Sequence, residues 1–143
     1  MQRYGTQFNV LTVISQANKL DAAGTYKFVK ELGVNHHQYI PAISTPESIA
    51  CGKNFGVTGQ EYGKFLLDLF EAWYPHDVRR VSIRFFDSVV NQLVNGIPYY
   101  CEMGANCSEY FVVEYNGDIY PCDFFVEPKM KLGNINTASF EDL

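Results

Sequence analysis

The chain has 143 residues, the length of one domain or of parts of two, and is 47% hydrophobic and 15% aromatic. That composition builds a real core and excludes a disordered chain. The net charge of −5 argues against a nucleic-acid partner, whose phosphates demand a basic face, and no apolar run is long enough to cross a bilayer.

Residues 8–15 (FNVLTVIS) predict a buried strand, β-branched and almost continuously apolar. From Leu20 to Leu32 the period becomes helical. Ala22, Tyr26, Val29 and Leu32 share one stripe, and Gly33 is placed to end the helix. Residues 37–43 predict a second strand, so the order is strand, helix, strand, the βαβ pattern of parallel strands. His36 and His37, at its start, have no partner at ligand spacing and read as structural.

Residues 44–57 carry Pro, Ser and Gly and predict a loop, with Cys51 in it as an incidental thiol. Thr58 and Glu61 form a capping box, in which each side chain satisfies a free backbone N–H. Behind it Tyr62, Phe65, Leu66, Leu69, Phe70 and Trp73 recur at helical spacing up to Pro75, the pattern of a core-facing helix. Residues 81–86 predict an extended segment. A short helix carrying Val89, Val90, Leu93 and Val94 follows, closed by Gly96. Residues 110–115 and 118–121 flank Asn116-Gly117, the strongest short-range hairpin signal. Residues 132–143 predict a loop entering a helix.

The chemistry lies in the cysteines. Cys101, Cys107 and Cys122 fall within 22 positions, a pattern of a shared ligand site in a reducing cytoplasm rather than of a disulfide scaffold. A two-residue turn at Asn116-Gly117 sets Cys122 opposite Phe111, and Pro121 ends the strand because it has no N–H for the ladder. Thiolates at such spacings bind zinc or an iron–sulfur cluster, and both usually take four ligands. On spacing alone the two are equal readings. Three ligands are present here, and the fourth is either Cys51 or lies outside this chain.

Cys107, nine residues, Gly117, four residues, Cys122 is similar to the opening motif of SPASM domains, which extend radical SAM enzymes. Cys101, and the stretch Tyr120-Pro121-Cys122-Asp123-Phe124-Phe125, resemble the anaerobic sulfatase-maturating branch. The resemblance implies an α/β fold: residues 1–57 as the last βα units of a radical SAM partial (β/α) barrel, 58–100 as connecting helices, and 101–143 as the start of a SPASM iron–sulfur domain with its β-hairpin. It implies Cys101, Cys107 and Cys122 as ligands of an auxiliary 4Fe–4S cluster, with a later cysteine, absent from this sequence, as the fourth. Asp123 is implied as the catalytic base, buried beside an anionic cluster where a carboxylate gains basicity.

The implied reaction is radical oxidation of a Cys or Ser of a sulfatase to formylglycine. It uses S-adenosyl-L-methionine (SAM) and an electron donor such as ferredoxin or flavodoxin. The C-x3-C-x2-C triad that binds the SAM-cleaving cluster in that family is absent, so the chain reads as an internal-to-C-terminal fragment, inactive alone. Two other readings are a SPASM-type maturase of another ribosomal peptide and a non-catalytic zinc-binding interaction module. The Cys122-Asp123 pair favours the sulfatase branch.

Overall fold

The computed structural model describes residues 2–104, 110–139 and 141, in two units, Met1–Gly96 and Ile97–Leu143. In the first unit β1 (Val10–Ile14), α1 (Ala22–Glu31) and β2 (His36–Pro41) form the expected βαβ, and β1 and β2 pair in parallel with Val10 level with His37. The strand at β1 is not buried throughout. Ile14 is fully buried, but Leu11 and Val13 are about half exposed, because β1 is an edge strand whose side chains alternate between two faces.

Asp21 caps α1, its side chain accepting from the Gly24 N–H at 2.9 Å. Gly33 ends it with φ 74°. Ala22, Tyr26 and Val29 are buried as the stripe predicts, whereas Leu32, at the C-cap, is turned half outward.

The segment after β2 is not all loop, since Pro46–Ala50 forms a short helix, α2. Thr58 and Glu61 make the capping box, and α3 runs from Gly59 to Asp77. Pro75 therefore does not stop it. A proline removes one backbone bond, and the last turn persists because it carries two anchors. Trp73 Nε1 donates to the Val81 carbonyl at 2.7 Å, and Asp77 is buried against α1.

The extended segment expected at 81–86 is only two residues long. β3 (Ser82–Ile83) pairs in parallel with the start of β2, and Arg84 already begins α4 (Arg84–Asn95). Early helix entry lets Phe86 lie on Trp73, ring centroids 5.2 Å apart. Gly96, left-handed at φ 72°, closes α4 as expected. The apolar stripe of α4 does not enter the described core. Phe86 and Ser88 are buried, whereas Val90, Leu93 and Val94 are exposed.

Two buried polar arrangements tie the first unit. His37 Nε2 faces the Val34 carbonyl at 2.8 Å, so it carries the proton, and Nδ1 accepts from the Tyr39 hydroxyl at 3.0 Å. Burial pushes the His37 pKa down, and the ring stays neutral, the structural role expected. Tyr26 donates to Asp77 Oδ2 at 2.7 Å, and Lys30 pairs with the same oxygen.

The Lys30 and Tyr26 hydrogen bonds hold the Asp77 carboxyl below its usual range, while burial and Asp77 push Tyr26 up. A depressed folded-state value gives stability that is complete above the unfolded carboxylate value of about 4. It is lost as pH falls through the folded value. Asp77→Ala strands the buried Tyr26 hydroxyl and is expected to lower stability by about 1–3 kcal/mol in urea unfolding at neutral pH. The gap from wild type should narrow below about pH 4. A gap that stays constant into acid would mean that packing, and not the ion pair, carries the effect.

In the second unit β4 (Val112–Val113), β5 (Asp118–Tyr120) and β6 (Gly133–Asn134) form an antiparallel sheet in that order. The hairpin is where Asn116-Gly117 puts it, but its turn is not the two-residue kind. Val112 pairs with Tyr120, the Gly117 N–H donates to the Glu114 carbonyl, and the Glu114 N–H to the Asp118 carbonyl. That is a three-residue loop with a glycine bulge, Gly117 at φ 84°. A Cβ at Gly117 would also lie 2.7 Å from Asn136 Nδ2. β6 occupies part of the segment expected to be loop. The helix expected after it involves residues 140, 142 and 143, which lie outside the described residues.

Candidate metal centre and barrel-edge cleft

β5 ends at Tyr120, and Pro121 turns the chain out of the sheet, as its missing N–H requires. Cys122 follows in extended conformation and leads into a 3-10 turn, Asp123–Phe125. The Phe125 N–H donates to the Cys122 carbonyl at 3.0 Å. The observed hairpin register, Val112 with Tyr120, is one residue off the expected one because the loop holds one more residue, and Cys122, beyond the end of β5, is not paired opposite Phe111.

Cys101 opens a second 3-10 turn, Cys101–Met103, closed by the Gly104 N–H on the Cys101 carbonyl at 2.9 Å. Cys101 and Cys122 are free thiols, the first exposed and the second half-buried, and close enough to interact electrostatically. Cys107, the third expected ligand, lies outside the described residues. Among the described residues no three His, Cys, Asp or Glu side chains converge.

The Cys122 thiol donates to Asp123 Oδ1 at 3.2 Å. A backbone hydrogen bond from Phe124 favours the thiolate. Burial, Asp123 and Cys101 act against it and together push the thiol pKa up. Asp123 itself, in the first position of the 3-10 turn, is exposed. The two described thiols are soft donors on open turns, the kind of ligand iron–sulfur centres take. Cys51 is an exposed thiol of the first unit.

A cleft of about 710 Å³ opens at the carboxyl ends of β1 and β2, the edge on which barrel enzymes build their sites. Gln16, Ile43, Ser44, Asn54, Gly56 and Glu61 line it. Gln16 and Ser44 directly follow the strands expected from the sequence at 8–15 and 37–43, and that position was the available signal. Among the described residues no helix is long and apolar enough to cross a membrane.

Residues 101–143 match the family model SPASM, an iron–sulfur cluster-binding domain. The chain is 33% identical over 144 residues to a cysteine-type anaerobic sulfatase-maturating enzyme of Clostridium perfringens, covering 99% of this chain and 39% of that protein. It is 30% identical over 157 residues to a serine-type enzyme of Bacteroides thetaiotaomicron, covering 100% of this chain and 38% of that one. A solved structure, native anSMEcpe with bound AdoMet and Cp18Cys peptide, superposes with TM-score 0.86 at 33% identity, covering 99% of this chain and 40% of that one.

The chain thus spans about two-fifths of the length of these relatives. The α/β class expected from the sequence holds in the superposition. Along its whole length the chain is similar to the anaerobic sulfatase-maturating enzymes, and the resemblance read from the cysteine motif is borne out.

Proposed function

We propose that the protein of which this chain is part oxidises a Cys or Ser of a sulfatase polypeptide to formylglycine, in the cytoplasm. SAM is its radical source and a ferredoxin or flavodoxin its electron donor. The observation that carries the reading is the juxtaposition of Cys101 and Cys122 on open turns, with Asp123 directly beside Cys122. Cys101, Cys107 and Cys122 hold a 4Fe–4S cluster, with the fourth ligand elsewhere in the whole protein. Bound there, such a cluster supplies a one-electron sink.

The chain's own residues do the rest. The conversion removes one hydrogen atom from the substrate Cβ, then a proton from the side-chain S–H or O–H and one electron; Ser gives the aldehyde directly, whereas Cys gives a thioaldehyde that water hydrolyses with loss of hydrogen sulfide. Asp123 takes the proton. Its Oδ1 now accepts the Cys122 S–H, and that contact is released when the thiol ionises to bind metal. The carboxylate, itself exposed, is then free to accept the proton. The Pro121 turn fixes Cys122 and Asp123 as neighbours, so ligand and base stay in register.

The test uses full-length protein purified without oxygen. Expected are iron and sulfide with broad visible absorption, and an aldehyde in a sulfatase peptide, read by mass. A colourless zinc protein with no aldehyde would overturn the reading in favour of an interaction module.

A further inference from the structure

Between β5 and β6 the chain leaves the sheet at Pro121 and returns at Gly133, and the loop so formed, residues 121–132, carries both Cys122 and Asp123. Pro121 and Cys122 are half-buried, and every residue from Asp123 to Leu132 is exposed. No buried side chain therefore anchors the loop. Its path is set by its own backbone bonds, the Phe125 N–H on Cys122, Glu127 on Phe125 and Met130 on Glu127, and by the neck where its two ends meet.

At the neck the Leu132 N–H donates to the Ile119 carbonyl at 2.8 Å, and Asp118 stands level with Asn134. The Asp118 carboxylate joins three partners there. Its Oδ1 accepts from Asn134 Nδ2 at 2.8 Å and pairs with Lys131, and its Oδ2 accepts from Asn116 Nδ2 at 3.0 Å. A hairpin tip needs only the Asn116 contact. Lys131 and Asn134 lie on the returning end of the loop, so their bonds to Asp118 close the neck. The Asp118 side chain is 15% exposed against 41% for Lys131, which partly withdraws the pair from water. Lys131 first, then Asn134, hold the Asp118 carboxyl below the usual carboxylate range, and the pair is intact at neutral pH.

We propose that Asp118 is a positioning residue for the oxidation: through Lys131 and Asn134 it closes the neck of this loop and so fixes where Asp123 stands. The proposal rests on the maturase reading above. A proton acceptor must lie within hydrogen-bond reach of its proton, and an exposed loop freed at one end no longer holds it there. Hydrogen-atom abstraction does not use Asp123. A loose neck therefore separates SAM cleavage from aldehyde formation.

The experiment uses the full-length enzyme purified without oxygen, as wild type, K131M, K131R and D118N. Two quantities are read: aldehyde formed per 5′-deoxyadenosine released with a sulfatase peptide, and amide hydrogen exchange of the loop by mass. K131M removes the ion pair and leaves both asparagine contacts of Asp118 in place. Expected in K131M is a roughly two- to fivefold fall in aldehyde per 5′-deoxyadenosine and faster loop exchange by a similar factor, the scale of one partly exposed ion pair. K131R keeps the pair and should match wild type. D118N should fall further, since it also disturbs the Asn116 and Asn134 contacts. Iron content should hold at the wild-type level in all of them.

Wild-type aldehyde yield or wild-type loop exchange in K131M would overturn the proposal, as would a K131R enzyme that falls with K131M. Iron lost in step with aldehyde would overturn it too, leaving Asp118 a residue that only holds the fold. Wild-type protein that makes no aldehyde would sink the maturase reading separately. Loop exchange would then decide the clasp, faster rates in K131M supporting it and equal rates counting against it.

Discussion

Replacing Asp123 by Asn in the full-length protein is expected to lower aldehyde formation by on the order of 10²–10⁴-fold while iron content stays at the wild-type level. Asparagine keeps the size of the side chain, and the 3-10 turn at Asp123–Phe125 is held by the Phe125 N–H on the Cys122 carbonyl, so the turn should persist. Only the proton acceptor is removed. The measurement is paired: 5′-deoxyadenosine released and aldehyde formed in one anaerobic assay with a sulfatase peptide. Continued release of 5′-deoxyadenosine with little aldehyde is the expected signature. Wild-type aldehyde yield would take Asp123 out of the mechanism and leave it a turn residue. Parallel loss of iron would make it a structural neighbour of the cluster.

The second large effect is on the metal itself. Alanine at Cys101, Cys107 or Cys122 of the full-length protein is expected to strip iron and abolish aldehyde formation. Losing a partner of a ligand costs about 10–100-fold in metal affinity or activity, and losing the ligand costs more. Cys51→Ala is the internal control. That thiol is exposed in a turn of the first unit, and its removal should leave iron unchanged. A Cys122→Ala enzyme with full iron and full activity would return the cysteines to a structural role.

What the sequence made legible follows from how local each signal is. The capping box at Thr58 and Glu61, the Gly96 stop and the Asn116-Gly117 hairpin are contained in a few residues, and each stands where its residues put it. Pro75 was misleading because tertiary anchors, Trp73 on Val81 and Asp77 on Tyr26, outweigh one lost backbone bond. The α4 stripe marked a helix correctly and was silent on burial: a helical period shows that one face is apolar, and does not say what covers it. Val90, Leu93 and Val94 are exposed in the described structure, while Phe86 on the same helix supplies the contact with Trp73.

At the candidate site, the motif carried Cys101, Cys122 and Asp123, but not the exposure of Asp123. The cleft residues were hidden because Gln16, Ser44 and Glu61 meet only when segments some forty residues apart fold together. Glu61 was visible as a cap and invisible as a clamp.

The glycine bulge at the hairpin tip also bears on how the molecule ages. An Asn-Gly pair in a mobile chain closes readily into a succinimide, the glycine nitrogen attacking the asparagine side-chain carbon. Here the Gly117 N–H is spent on the Glu114 carbonyl at 2.8 Å. The Asn116 side chain is held at both ends by Asp118, its oxygen accepting from the backbone N–H and its nitrogen donating to the carboxylate, each at 3.0 Å. Attack would require both restraints to break together. The turn that sets the register of β4 and β5 thereby shields its own most perishable bond from deamidation for as long as the hairpin stays folded.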